Sequence, residues 1–246
     1  MKKIIVVVPS YKNSKWYERN LSSIIAQNYN NFKTIYVDDC SPDNTGELVE
    51  KYIAKHNQQN NISLIRNTER KGAMYNLYTM IHSCDDNDII VTLDGDDHLA
   101  HSNVLSRVAK EYDNPNIWLT WGQYKDSNGG VGCSKAIPEN IVTASSFRNY
   151  RWCSSHLRTF YAGLFKKIKK EDFLDSKGNF YAMAWDLAMY FPMLEMAGNR
   201  GRFIPDILYV YNTQNELNDS KVNLQLQQGT ERIIRSKPRY TKIGSL

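Results

Sequence analysis

The sequence predicts one α/β domain with a mostly parallel central sheet flanked by helices. Residues 4–8 form a continuous β-branched run that ends at Pro9 and Ser10, as expected of a strand buried on both faces. Strand and helix patterns then alternate over residues 4–93, which favours crossover connections and a parallel sheet. The 246 residues, 41% of them hydrophobic, suffice for one core of this kind.

The period of the apolar residues and the capping residues define the predicted elements. Strands are predicted at residues 4–8, 34–37, 62–65, 89–93 and 117–121, and helices at 17–25, 41–53, 73–83, 104–108 and 182–197. Ser41 is the predicted N-cap of the second helix, with Pro42 at its first helical position. Gly198 should end the last helix, and Pro192 should break or kink it.

Polar residues follow three predicted strands at the point where each strand ends. Ligands of parallel sheets bind beyond the carboxyl ends of the strands, so residues 9–11, 38–39 and 94–97 are candidate binding residues. The last group contains three carboxylates, which repel one another without a cation and suit Mg²⁺ or Mn²⁺. A solvated loop or a helix cap is the alternative for this turn.

Two further groups could contact a nucleotide. A carboxylate at residues 38–39 can accept a hydrogen bond from a base imide or a ribose hydroxyl, or it can cap the next helix. Residues 70–72 place two cations and a glycine beside unpaired helix N–H groups, which is a common setting for an anion. Solvated surface charge is the alternative for that segment.

Four ordered blocks resemble the signature of family 2 glycosyltransferases, which have the GT-A fold. They are Val-Val-Val-Pro-Ser-Tyr at 6–11, Val-Asp-Asp-Cys-Ser-Pro-Asp-Asn-Thr at 37–45, the segment 67–76, and Leu-Asp-Gly-Asp-Asp at 93–97. Their order and spacing are more specific than any one block. The third block departs from the family pattern at Met74, Tyr75 and Leu77, so contacts from that helix do not follow from the resemblance.

The resemblance implies a GT-A (Rossmann-like) fold with a nucleotide site in the first half of the chain. The implied nucleotide-binding residues are Pro9, Ser10, Tyr11, Asp38, Asp39, Lys71, Asp94 and Gly95. Asp39 would read the base, Lys71 would lie near the uracil or the phosphates, and Asp94 would lie near the ribose. Asp96 would bind the metal ion, Mn²⁺ or Mg²⁺.

Residues 155–160 are similar to the His-x-Arg-x-Phe segment of chondroitin-polymerase-like members of the family. In those members the histidine joins the aspartate on the metal, which implies that His156 is a second metal ligand. A neutral imidazole is a suitable ligand, and Arg158 could pair with a phosphate or a carboxylate. A structural role is the alternative for this histidine.

Residues 184–187 resemble the acidic block that holds the catalytic base of the family. This implies that Asp186 deprotonates the acceptor hydroxyl, and the N-cap of the last helix is its alternative role. Trp185 would form an aromatic wall for the acceptor or pack in the core. Residues 209–220 look like the late loop that covers the diphosphate, through Tyr211, Asn215 or Asn218.

The resemblance therefore implies a metal-dependent transferase that moves a hexose from a UDP-sugar to an acceptor hydroxyl with inversion. Hydroxylysine of a collagen-like protein, a polysaccharide and a lipid stay open as acceptors. A sugar-phosphate nucleotidyltransferase is disfavoured because residues 9–12 are not a glycine-rich loop. A non-catalytic module that binds nucleotide or glycan is disfavoured because every catalytic role has a candidate residue.

The predicted GT-A domain covers residues 1–220, with a nucleotide-binding half (1–100) and an acceptor and catalytic half (101–220). The basic segment 221–246 accounts for much of the net charge of +5 and is predicted to be a solvated end or a linker to a further domain. Contact with a diphosphate, an acidic partner or a membrane surface is the alternative for this segment. We predict no nucleic-acid partner. Six apolar residues before Ser10 are too few for a signal peptide, and no stretch approaches a bilayer span. With cysteines that show no metal-type pairing, we expect a cytoplasmic protein.

Overall fold

The computed structural model describes residues 1–246, with the side chains of all but residues 219 and 220. The strands are β1 Ile4–Ser10, β2 Phe32–Asp38, β3 Ile62–Arg66, β4 Ile89–Thr92, β5 His98–Leu99, β6 Leu119–Asp126, β7 Arg158–Tyr161 and β8 Gly201–Tyr211. The α-helices are α1 Tyr17–Ile25, α2 Thr45–Lys55, α3 Ala73–His82, α4 Val104–Glu111, α5 Glu139–Thr143, α6 Ala162–Lys166, α7 Trp185–Ala197, α8 Asp219–Val222 and α9 Leu224–Ser236. Short 3₁₀ turns lie at Phe147–Asn149, Lys170–Phe173 and Gly198–Arg200.

The strands form one sheet in the order β3-β2-β1-β4-β7-β6-β8-β5. Strands β1 to β4 are parallel, which confirms the prediction for the first half of the chain. In the second half, β7 runs antiparallel to β4 and β6, whereas β6 and β8 are parallel. The sheet is therefore mixed, and its parallel part is the one that brings the predicted nucleotide-binding segments to one edge.

The core lies on both faces of the parallel strands. Every residue of β1 and of β4 is buried, as a continuous β-branched run predicts. Helix α3 packs against β1 through the predicted apolar stripe, in which Met74, Leu77 and Ile81 are fully buried. This packing holds β1 in place, and the end of β1, at Pro9 and Ser10, enters the candidate site.

Helix α2 begins at Thr45, so the predicted start at Ser41 is wrong. Cys40 and Asn44 adopt left-handed backbone conformations, with φ of 57° and 63°, which interrupt a helix. The Ser41 hydroxyl accepts a hydrogen bond from the backbone N–H of Lys12 at 3.0 Å instead of capping a helix. Residues 40–44 therefore form a turn that connects the end of β2 to the segment after β1.

Helix α7 begins at Trp185 rather than at residue 182, and its N-cap is Ala184. Asp186 is thus inside the first turn, and the alternative that it is the N-cap is wrong. Pro192 does not interrupt the helix, although an interior proline costs about 3 kcal/mol or more. Apart from Asp186, every residue of α7 is buried, so tertiary packing overrides the local preference. Gly198, with φ of 59°, ends the helix as predicted.

The C-terminal segment packs on the domain. Arg148 donates to both carboxylate oxygens of Glu195, at 2.6 and 2.9 Å, and to the carbonyl of Ile234 in α9 at 2.6 Å. Arg235 donates to the carbonyl oxygens of Arg148 and Tyr150. These contacts hold α9 against α7, and a link to a further domain stays a prediction. In the described part of the chain, no helix has both the length and the apolar character needed to cross a membrane.

We expect Glu195→Ala to lower the free energy of unfolding by about 3–5 kcal/mol, because it leaves the buried Arg148 guanidinium without its carboxylate. The measurement is equilibrium unfolding in urea. Glu50→Ala, which removes an exposed carboxylate 3.9 Å from Arg66, is the control and should cost far less. Equal losses in the two variants would show that the buried pair does not hold the C-terminal segment in place.

Candidate active site

A cavity of about 490 Å³ opens at the carboxyl edge of the parallel strands. It is bounded by the ends of β1 and β2, the acidic turn after β4, the start of β7 and the start of α7. All the predicted site residues except Asp38 and Lys71 line this cavity. Residues from both halves of the chain thus meet at the edge where parallel sheets bind ligands.

The side chains of Asp38 and Lys71 do not line the cavity. Asp38 is buried beside Gly46, where an added Cβ would lie 2.7 Å from Asp38 Oδ2, and burial raises the pKa of this carboxyl. Lys71 pairs with Glu69, and its Nζ lies 5.6 Å from the ring centroid of Tyr75. The direct roles that the resemblance implies for these two side chains have no contact in the structure to support them.

Asp39 holds the segment that follows β3. Its Oδ1 accepts hydrogen bonds from the Lys71 backbone N–H at 2.9 Å and from Asn67 Nδ2 at 2.7 Å, and its Oδ2 accepts from the Gly72 N–H at 2.8 Å. Burial raises the pKa of Asp39, but these hydrogen bonds together lower it below its usual value. Asp39 is therefore an ionised group on the cavity wall with most of its acceptor capacity in use.

Tyr11, a predicted site residue, and Arg70, from the predicted anion segment, form an aromatic and cationic wall whose pairing the sequence did not predict. The guanidinium carbon of Arg70 lies 4.0 Å from the ring centroid of Tyr11, and both residues line the cavity. Such an arrangement is typical of a cation–π contact. The two cations at residues 70–71 were the available signal, but the sequence could not show that Arg70, not Lys71, faces the cavity.

The acidic turn after β4 contains carboxylates in different environments. Asp97 is buried, and it accepts hydrogen bonds from the Tyr209 hydroxyl and from the Asn212 N–H, so it ties the turn to β8. Burial, followed by repulsion from neighbouring Asp96 and Asp94, raises the pKa of Asp97 well above its usual value. Asp97 is therefore a structural member of the turn.

Asp96 faces the cavity and accepts a hydrogen bond from Asn215 Nδ2 at 2.7 Å. Burial raises the pKa of Asp96, and the Asn215 amide opposes this effect in part. Asn215 belongs to the late loop of the sequence analysis, and Asn218 in the same loop lines the cavity while donating to the Asn212 carbonyl at 2.9 Å. This loop therefore contacts the acidic turn directly.

Gly95 allows the acidic turn to approach β1. A Cβ at this position would lie 2.6 Å from Asn13 Nδ2 and 2.7 Å from Ser10 Oγ. Asn13 Nδ2 itself donates to Ser10 Oγ at 2.9 Å, so neither group can move without losing a buried hydrogen bond. The two loops are therefore in contact because residue 95 has no side chain.

The donor groups in the cavity fit part of a Mn²⁺ or Mg²⁺ site. Among the residues whose side chains the structure describes, no three His, Cys, Asp or Glu side chains form a metal-binding cluster. Burial, and next the Arg158 charge, lower the pKa of His156 far below its usual value, so its imidazole is neutral and able to bind a metal. Mg²⁺ is typically bound by one or two carboxylates together with substrate phosphates. Asp96 supplies one such carboxylate, and His156 lines the same cavity as a further donor group.

Arg158, which is buried, and Asp186, which is partly exposed, form an ion pair on the cavity wall. Arg158 Nη1 donates to Asp186 Oδ2 at 3.2 Å, while Asp186 Oδ1 accepts from the Leu187 N–H at 3.0 Å. Burial raises the pKa of Asp186, and the guanidinium opposes this effect. Arg158 Nε is buried and has no hydrogen-bond partner among the described groups. Trp185, 5.3 Å from this guanidinium, lines the same cavity.

These features define an α/β protein with a cleft at the carboxyl edge of its sheet, lined by an acidic turn and by a carboxylate paired with an arginine. The family model described as "Glycosyl transferase family 2" matches residues 5–184, and the chain belongs to this family.

Two curated relatives are similar to this chain. Glycosyltransferase GlyG of Streptococcus pneumoniae is 27% identical over 177 residues, which cover 69% of this chain and 58% of GlyG. Poly(ribitol-phosphate) beta-N-acetylglucosaminyltransferase TarS of Staphylococcus aureus is 41% identical over 59 residues, which cover 23% of this chain and 10% of TarS. The chain thus spans less than two thirds of either relative.

Solved structures show that the fold is GT-A. TarS 1–349 of S. aureus in complex with UDP-GlcNAc has a TM-score of 0.62 at 19% identity, with 87% of this chain and 59% of that chain covered. Mannosyltransferase PcManGT of Pyrobaculum calidifontis, in complex with GDP-Man and Mn²⁺, has a TM-score of 0.63 at 19% identity, with 95% and 62% covered. At these identities the likeness establishes the architecture alone.

Proposed function

We propose that the chain transfers a hexose from a UDP-sugar to an acceptor hydroxyl with inversion, in a reaction that depends on Mn²⁺ or Mg²⁺. The observation that carries this proposal is that Asp186, paired with Arg158, lines the same cavity as the acidic turn and the ends of β1 and β2. The structurally similar TarS 1–349 of S. aureus is known in complex with UDP-GlcNAc and with UDP, which supports the donor class. UDP-GlcNAc is therefore the first donor to test.

The first half of the chain binds the nucleotide in this proposal. Tyr11, with Arg70 against its ring, forms a wall on which a base can stack. Asp39, held by the segment 67–72, accepts a hydrogen bond from the base, and Asp94 lies near the ribose. The phosphates then lie toward Asp96 and the late loop, which is in contact with that carboxylate.

Asp96 and His156 would hold the metal ion, because the first is a carboxylate on the cavity and the second is a neutral imidazole beside it. Once bound with the diphosphate, the metal supplies a Lewis acid that stabilises the negative charge of the leaving group. Arg158 adds a fixed positive charge at the same wall, and its buried Nε has capacity for one more hydrogen bond.

Asp186 is the general base. Its carboxylate takes the proton of the acceptor hydroxyl while that oxygen forms a bond to the anomeric carbon. The bond from the anomeric carbon to the phosphate oxygen breaks in the same step, and its electron pair leaves with UDP. A single displacement from the face opposite the diphosphate inverts the anomeric centre. Arg158 orients the base by donating to Oδ2, so that both carboxylate oxygens have defined partners.

The experiment that tests the donor and the metal is release of UDP from UDP-GlcNAc, with GDP-Man as the comparison donor, in Mn²⁺ and in EDTA. We expect release from the UDP-sugar in Mn²⁺ and its loss in EDTA and in Asp96→Ala, because the departing diphosphate needs a counter-charge. Asp113→Ala, an exposed carboxylate outside the cavity, is the matched control. Release that is unchanged by EDTA would rule out the metal, and consumption of GDP-Man alone would rule out the UDP donor.

Asp186→Asn should lower kcat by about 10²–10⁴-fold, because the amide cannot accept the proton, while binding of UDP is retained. The asparagine oxygen can still accept the hydrogen bond from Arg158, so the variant tests basicity rather than packing. Transfer is measured by glycoside product formation, and UDP binding by titration calorimetry. A kcat within about twofold of the unsubstituted protein, with UDP bound normally, would exclude Asp186 as the base.

The fall of kcat/KM at acid pH should report on the ionisation of Asp186. Asp186 must be ionised to act, and burial raises its pKa, so kcat/KM should fall as the pH is lowered through a value above the usual aspartate pKa of about 3.9. Arg158→Gln removes the opposing cation and should move this limb to higher pH, whereas Arg158→Lys keeps the charge and should move it less. Identical limbs in both variants would show that Arg158 does not control the ionisation of the base.

A further inference from the structure

A second pocket, of about 270 Å³, opens beside the first, and the two share His156, Ala184, Asp186, Tyr211 and Gln227. Its walls include three aromatic rings, from Tyr124, Trp152 and Tyr211. The catalytic candidate Asp186 therefore lies on the boundary between the two spaces. A group in the second pocket can reach that carboxylate without entering the space assigned to the nucleotide.

Helix α9 forms the polar wall of this pocket through Gln227 and Glu231. These residues are four positions apart, so they lie on one face of the helix. The buried Arg148–Glu195 pair and the bond from Arg148 to the Ile234 carbonyl fasten that helix to α7. The C-terminal segment thus presents two hydrogen-bonding side chains to a space next to the base.

The charges that line the second pocket are compensated within the protein. Glu231 pairs with Arg235 at 2.8 Å, and Asp186 pairs with Arg158 at 3.2 Å. A cationic ligand would have to compete with these guanidinium groups for the carboxylates. Both pairs favour a ligand that is neutral and that brings hydroxyl groups.

The shape and the lining of the pocket favour one ring. Its volume is below the range of about 300–1,000 Å³ that is usual for sites of drug-sized ligands. Aromatic rings pack against apolar C–H faces, and the amide of Gln227, the hydroxyl of Ser155 and the carboxylate of Glu231 can bond to hydroxyls on the rim. A sugar ring combines these two kinds of surface.

We infer that this second pocket is the acceptor site and that it binds a neutral sugar ring, which presents one hydroxyl to Asp186. The inference rests on the proposed function, since it assigns the acceptor of the same transfer. It favours a glycan acceptor over a hydroxylysine side chain, whose ammonium group would meet two carboxylates already paired with arginine. It also disfavours a lipid chain, which would cover the Gln227 amide without offering it a hydrogen bond.

Cys133 provides a test of binding that does not depend on catalysis, because it is exposed and lines the second pocket. In a Cys40→Ser background the other cysteines besides Cys133, which are Cys84 and Cys153, are buried. The rate of alkylation by iodoacetamide should therefore be the rate at Cys133. Methyl glycosides of glucose, galactose and N-acetylglucosamine should slow alkylation several-fold, as followed by mass spectrometry. Cys40, measured in a Cys133→Ser background, is the control and should react at the same rate with or without glycoside.

Gln227→Ala should weaken protection by the effective glycoside about threefold to tenfold, the loss expected for one hydrogen bond. Gln228→Ala, which changes the exposed neighbour outside the pocket, is the matched control and should leave the protection unchanged. Protection by none of the glycosides, or equal protection by lysine or hexanol, would overturn the inference. If glycosides protect but no donor is consumed, the proposed function fails and the sugar pocket stands. If UDP is released and no glycoside protects, the proposed function stands and the sugar pocket is excluded.

Discussion

The site depends on the parallel pairing of β1 with both β2 and β4. This pairing continues past the strands, where the Asp39 N–H donates to the Ser10 carbonyl at 2.8 Å and the Gly95 N–H donates to the Pro9 carbonyl at 3.1 Å. Three loops are thereby joined by backbone hydrogen bonds before any side chain takes part. The positions of Asp39 and the acidic turn relative to Tyr11 are consequences of this ladder, and the missing Cβ of Gly95 lets the turn come close enough.

Two buried arginines show how the same residue type serves structure or chemistry. Arg148 has each of its three nitrogens bound to a protein oxygen, in Glu195 and in the Ile234 carbonyl, so its guanidinium holds the C-terminal segment in place. Arg158 has one carboxylate partner and a buried Nε without a hydrogen bond among the described groups. A buried polar group without a partner is costly, so Arg158 is suited to donate a hydrogen bond to a bound anion or to another ligand oxygen.

The spacing of the apolar residues predicts the strands of the parallel half of the sheet and α3, because in these elements that spacing matches the residues that are buried. The start of α2 could not be predicted, because a tertiary hydrogen bond from Lys12 to Ser41 sets the turn before it. Most of the residues proposed to bind the nucleotide lie in contiguous blocks, which is why the sequence could predict that they meet at one edge of the sheet. Trp152 and Gln227 belong to no motif, and the sequence contains no signal that they lie beside Asp186, because packing of distant segments brings them there.

Strand β7 runs antiparallel to β4, and this explains a difference between the two halves of the chain. The first half lines the cavity with residues at the ends of strands, whereas the second half lines it with residues at the beginnings of β7 and α7. Because β7 is antiparallel to β4, its first residue, Arg158, aligns with Thr92 at the last position of β4. A strand that starts at this edge places His156 and Arg158 next to the acidic turn, whereas a parallel strand would have placed its last residues there. Asp186 likewise lies in the first turn of α7, where backbone N–H groups favour a carboxylate. The acidic turn and the Arg158–Asp186 pair therefore meet at a single sheet edge.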